Sequence, residues 1–216
     1  MPSLPIVELR QYTMVPGRLD EFLAIFESKL TAPQDEWGAH VLGTFRDRNR
    51  PDFFVWLRGF TDMAARLRAL EGFYGSPLWK EHRDAVNATL VDNDNVLLLR
   101  ALDDGLSLAP AAPGGPPGLV VASLHALPGP ADKALAGRLA DESAAALGPA
   151  LRGTFITELA KNDFPRLPVR DKESFFVWIA AFPTPAAYAD WKSTRGAAAP
   201  GSERLELTPT PASPLR

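Results

Sequence analysis

The chain has 216 residues, enough for one large or two small domains. Its 46% apolar and 23% charged residues and net charge of −3 offer no basic field to nucleic acid or an anionic membrane. Cysteine is absent, which removes disulfides, thiol catalysis and thiolate metal sites together; with no long apolar run and no secretory signal in Met1 to Leu9, a cytoplasmic location is expected.

Residues 6–15 alternate, with Val7 and Leu9 on one side and Glu8, Arg10 and Tyr12 on the other, the period of a strand. Pro16-Gly17 breaks it. From Arg18 the apolar stripe Leu19, Phe22, Leu23, Phe26 and Leu30 predicts a helix, with Pro33 as its stop. Residues 40–47 read as a second strand and Phe53 to Phe60 as a third, separated by the turn Arg48-Asn49-Arg50-Pro51-Asp52. Thr61 is the expected cap of a helix from Asp62 to about Leu70, and a further helical piece covers about 77–90. Asp92-Asn93-Asp94-Asn95 reads as a turn before a fourth strand, Val96 to Leu99; it lacks the glycine and glutamate of a calcium-binding EF-hand loop.

The same order then returns. Pro16-Gly17, Gly43-Thr44-Phe45 and Phe53-Phe54-Val55-Trp56 recur as Pro128-Gly129, Gly153-Thr154-Phe155 and Phe175-Phe176-Val177-Trp178. Identical short segments in matching order point to a duplicated unit. The second copy is expected as strands at 119–127, 151–160, 174–182 and 204–208, with helices at about 131–147 and 185–193; Thr184-Pro185 caps the last helix. Residues 103–118, rich in proline and glycine, are the expected linker, and 209–216 a flexible tail. The fold expected is α+β: tandem ferredoxin-like repeats (βαββαβ twice) in domains 1–102 and 119–208, pairing sheet to sheet as an α+β barrel.

In the first half, Glu8-Leu9-Arg10-x-Tyr12 precedes Pro16-Gly17, then Phe54-Val55-Trp56-x-x-x-Phe60, Arg66 and Ser76-Pro77-x-Trp79. This series resembles the NIPSNAP family, closely over about residues 4–101 and loosely over 118–208. The resemblance implies the dimeric α+β barrel fold shared with small monooxygenases and haem-handling proteins, and no single reaction. Where the first copy has Glu8, Arg10 and Tyr12, the second is read as having Val120, Ala122 and Leu124, so a site built on that charged face is single and asymmetric.

Glu8, Arg10 and Tyr12 share a strand face, about 7 Å apart along it. Were that face to line the barrel, Arg10 could hold an anion and Glu8 could act as a base; the plainer reading is a structural Glu8–Arg10 pair. Trp56 and Trp178 are candidates for an aromatic wall around a flat ligand, or for core packing. His40, at a strand start, is the best placed of the three histidines for haem ligation or proton transfer; none has the spacing of a local metal motif. Arg66 is expected to anchor its helix to a carboxylate such as Glu71. No cofactor motif is present.

Three functions therefore compete. The first is a protein binding a small apolar or aromatic molecule within the barrel, near Arg10, Tyr12, Trp56 and Trp178. The second is a cofactor-independent monooxygenase acting on a hydroquinone-like substrate, with Glu8 or His40 as base and Arg10 stabilising the anion. The third is a structural protein with a filled barrel. Homodimers remain open, and neither nucleic acid nor membrane is an expected partner.

Overall fold

The structure is a computed structural model that describes residues 3–102, 118–195 and 201–216. The expected linker falls, over 103–117, outside the described residues. The first half runs β1 (Ile6–Met14), α1 (Leu19–Ile25), a π-helical turn (Phe26–Leu30), α2 (Thr31–Glu36), β2 (His40–Asp47), β3 (Phe53–Phe60), α3 (Met63–Gly75), α4 (Pro77–Asn87) and β4 (Leu90–Ala101). The second runs β5 (Leu119–Leu127), α5 (Lys133–Leu147), β6 (Leu151–Thr157), β7 (Ser174–Phe182), α6 (Pro185–Arg195) and β8 (Ser202–Pro209), with a 3-10 turn over Gly148–Ala150.

All eight strands close one antiparallel barrel in the order β1-β3-β2-β8-β5-β7-β6-β4. Each half supplies four adjacent strands. The halves join edge to edge, through Phe45 to Asp47 against Leu207 to Pro209, and through Leu99 to Ala101 against Phe155 to Thr157. The barrel therefore closes within one chain and leaves no sheet edge unpaired.

The alternating pattern decides the core. Val7 and Leu9 of β1 face inward and meet Phe45, Val55, Leu97, Val177 and Leu205 in one apolar cluster. That cluster draws on every strand and fills the interior. Helices cover the outside, where β1 and β3 carry a second layer of aromatic and charged side chains.

Several local expectations need correction. The helix does not stop at Pro33: the π turn interrupts the regular ladder, with the Thr31 N–H donating to the Phe26 carbonyl, and the chain starts a new helix. Pro33 sits in its first turn, where a missing N–H is tolerated. The cap of α3 is Asp62, not Thr61; its carboxylate accepts from the Ala65 N–H at 2.7 Å. The same helix continues through Gly72 to Gly75, and at Gly72 the Trp37 ring leaves no room for a side chain, 2.1 Å from where a Cβ would stand. Asp92 to Asn95 is not a turn but part of β4, whose pairing with β1 shifts register there. The tail is also ordered: Thr210, Ser213 and Leu215 are buried, and Leu215 joins the interior cluster. Ser213 Oγ accepts from the Thr44 N–H at 3.0 Å.

The two halves are offset by one residue more than the sequence motifs implied. Arg10 pairs with Trp56 across β1 and β3, and Ser123 pairs with Trp178 across β5 and β7. The counterparts of Glu8, Arg10 and Tyr12 are thus Val121, Ser123 and His125, while Val120, Ala122 and Leu124 point into the barrel. A shift of one residue exchanges the faces of a strand. The fully buried charged side chains on the strands, Glu8, Arg10 and Arg58, still belong to the first half.

Candidate functional site: a buried arginine layer beneath an aromatic cavity

Because Val7 and Leu9 point inward, Glu8, Arg10 and Tyr12 point outward, beneath the helices. The reading in which this face lines the barrel is corrected here, since the interior is already occupied by apolar side chains. On the neighbouring β3, Arg58 lies opposite Glu8, Trp56 opposite Arg10 and Phe54 opposite Tyr12. α3 adds Arg66 from above. Glu8, Arg10, Arg58 and Arg66 are all fully buried.

One carboxylate gathers all three guanidinium groups. Glu8 Oε2 accepts from Arg10 Nη1 at 2.9 Å and from Arg58 Nη2 at 2.5 Å, and Oε1 accepts from Arg66 Nε at 2.7 Å. Arg58 also donates to Gln34 Oε1 at 2.9 Å. Arg66 continues outward, donating from Nη1 to Asp163 Oδ1 at 2.8 Å and to Asn162 Oδ1 at 3.1 Å. Burial by itself would raise the pKa of Glu8, but Arg58, Arg10 and Arg66 outweigh it and hold the carboxyl far below its ordinary range. Glu8 is therefore an anchor for arginines and a poor proton acceptor. Burial likewise opposes the charge on Arg10, yet Tyr12 and Glu8 raise its pKa above the ordinary arginine value.

Above this layer lies a cavity of about 310 Å³. Tyr12 and Trp56 form part of its floor, Phe22 and Phe26 one wall, Phe73 and Trp79 another. The π turn presents Phe26, which meets the Trp56 ring edge-on at 5.0 Å. The cover comes from the other half of the chain: Phe164, between β6 and β7, stacks on Tyr74 with ring centroids 5.9 Å apart. At the mouth Arg83 pairs with Asp84 at 3.0 Å, and Arg166 is exposed.

Two polar groups on the cavity floor are unspent. Arg10 Nε is a donor only, so at 2.9 Å it gives its hydrogen to Tyr12 Oη, and the tyrosine's own proton is free to point elsewhere. Burial pushes the Tyr12 pKa up despite Arg10, which keeps the phenol protonated. Trp56 Nε1 is buried with no partner among the described residues, as are Arg10 Nη2 and Arg66 Nη2.

Of the residues singled out from sequence, Glu8, Arg10, Tyr12 and Trp56 come together here. His40 does not: it is partly exposed at the start of β2, with Nδ1 3.2 Å from Asp35 Oδ1. Trp178 does not either, and no wall shared with Trp56 exists. It lines a separate cavity of about 370 Å³ beneath α5, with His125, Trp191 and Arg204. Burial and Arg204 lower the His125 pKa. The partner of Arg66 is not Glu71 but Glu8 and Asp163. Sequence reasoning passed over Arg58, Gln34, Asp163 and Phe164. The alternation of Phe54, Trp56 and Arg58 carried a usable signal for Arg58; nothing local marked Asp163.

Among the described residues, no group of side chains has metal-binding geometry and no helix is long and apolar enough to cross a membrane.

The NIPSNAP family model matches residues 7–103. No curated protein matches the chain. Two solved structures share the fold over nearly its whole length. One, a provisionally named monooxygenase from Fusobacterium nucleatum, has 10% identity and a TM-score of 0.59, covering 97% of this chain and 94% of its own. The other, a provisionally named monooxygenase from Lactobacillus acidophilus, has 12% identity and a TM-score of 0.54, covering 96% and 94%. A NIPSNAP family protein from Agrobacterium tumefaciens, 18% identical with a TM-score of 0.43, covers 46% of this chain and 95% of its own. The β1 motif, the Trp56 strand and the α3 arginine that build the arginine layer all lie inside the segment, residues 7–103, that matches the NIPSNAP family model.

Proposed function

We propose that the chain is a tandem of ferredoxin-like repeats, 1–102 and 119–208, whose first repeat binds a small apolar or aromatic molecule in the cavity between its sheet and its helices. The observation that carries this reading is the 310 Å³ aromatic cavity on the arginine layer. A cavity of about 150 Å³ accepts benzene, so this one suits a molecule of one or two rings. The binding place is thus outside the barrel wall, and the second repeat serves by closing the barrel and by bringing Phe164 over the site.

Cofactor-independent oxygenation of a hydroquinone-like substrate is the weaker reading. It needs a base beside the substrate hydroxyl. Glu8 is tied to three arginines and His40 does not line the cavity. The two similar structures named as monooxygenases support the fold alone at their 10% and 12% identity.

A thermal-shift panel of one- and two-ring compounds tests the binding reading. Binding to the folded state raises Tm by mass action. Val86, a buried residue of the cavity wall, supplies the control: Val86→Trp fills the space and should abolish the shifts. If no compound moves Tm, the structural reading, a filled barrel without a ligand, replaces this one.

A further inference from the structure

The chemistry of the cavity floor narrows its occupant, provided that the cavity is the binding site. The arginine layer brings three guanidinium groups against two carboxylates, Glu8 and Asp163. Asp163 is 29% exposed and so partly neutralised by water, while the arginines are wholly buried. One positive charge is left without a counter-charge in a region of low polarity, a costly state unless something negative approaches it.

The hydrogen-bond inventory has the same sign. Tyr12 Oη already accepts from Arg10, so toward the cavity it can donate. Trp56 Nε1 can only donate, and it is buried and unpartnered among the described residues. Both side chains line the cavity, with ring centroids 6.1 Å apart. The Arg10 guanidinium carbon lies 5.4 Å from the Tyr12 ring centre and 5.8 Å from that of Trp56. Among the described residues neither donor has a protein acceptor, and the Arg10 guanidinium lies beside both rings.

We propose that the occupant is an aromatic carboxylate: one or two apolar rings lie between Phe22, Phe26 and Phe73, and the carboxylate accepts from Tyr12 Oη–H and Trp56 Nε1–H above Arg10. A carboxylate arrives already ionised at neutral pH. A phenol would present an anion only by giving up its proton in the site, and neither Glu8 nor His40 is placed to take it. Exposed Arg166 at the mouth favours the entry of an anion.

The test is calorimetric titration of the full chain with 2-naphthoate and with its uncharged analogue 2-naphthamide. The acid should bind at least tenfold more tightly. Tyr12→Phe should weaken 2-naphthoate about tenfold and leave 2-naphthamide within about threefold. Trp56→Phe, which keeps an aromatic ring but removes the N–H, should act in the same direction and decides the matter if Tyr12→Phe does not fold. Equal or tighter binding of the amide overturns the carboxylate assignment and leaves the cavity standing as an apolar site. Unchanged 2-naphthoate affinity in both folded variants also overturns it. Failure of both compounds to bind wild type overturns the carboxylate and the cavity together.

Discussion

Arg66 and Asp163 are 97 residues apart in the chain and 2.8 Å apart in the fold. With its Nε on Glu8 at 2.7 Å, the same guanidinium ties the sheet of one half to the covering loop of the other. The cavity is consequently a product of both halves, although its floor belongs to one.

Removing the charge of Glu8 should be among the most damaging conservative changes in the chain. Glu8→Gln leaves three buried guanidinium groups without their shared carboxylate, and loss of one partner from a buried ion pair costs about 3–5 kcal/mol. Urea denaturation of the variant against wild type measures this. A loss below about 1 kcal/mol would mean that water reaches the layer.

The same residue predicts an acid sensitivity. Folding lowers the Glu8 pKa from its ordinary 4.5. A carboxylate depressed in this way contributes its full stability above the unfolded value and loses it as pH falls toward the folded one. The stability gap between wild type and Glu8→Gln should therefore be constant above pH 4.5 and shrink below it. Denaturant titrations at pH 7, 5 and 3.5 follow the gap; a constant difference would refute the assignment.

Asp163→Asn should separate covering from stability. The carboxylate is partly exposed, so the change should cost about 1 kcal/mol or less. Hydrogen exchange in 160–167 should nevertheless quicken, because Arg66 is the loop's charged tether. Unchanged exchange would show that the Arg66–Asn162 bond and Phe164 stacking hold the loop without the Asp163 charge.

The C-terminal tail should behave as core. Leu215 is 1% exposed and joins the interior cluster, so Leu215→Ala should cost about 2–5 kcal/mol in thermal or chemical unfolding. A frayed tail would show no measurable change.

His40→Ala should do little. Its pairing with Asp35 is partly exposed, which limits the loss to within about 1 kcal/mol. Affinity for 2-naphthoate should be the same as in wild type; a weakened complex would place His40 in the site after all.

The Pro33 and Asp92 expectations show where local reading fails. A proline stops a regular helix, yet here a π turn that ends three residues earlier resets the ladder. A run of Asp and Asn favours a turn, yet pairing with β1 draws it into a strand through bulges. The first is a local change of helix register, while in the second pairing across the fold overrode short-range preference.

Sequence alone determined the order of strands and helices and the fact that Glu8, Arg10 and Tyr12 share one face, because strand and helix periods are local properties of the backbone. Which face would be enclosed was a different matter. Alternation divides a strand into two sides, but only barrel closure decided that Val7 and Leu9 go inside and the charged side goes under the helices. The tertiary structure also decided that Arg58 would join Glu8, that Trp178 would lie in a separate cavity and that Phe164 would cover the site. Those relationships come from strand pairing and loop packing between residues far apart in the chain, for which neighbouring residues carry no signal.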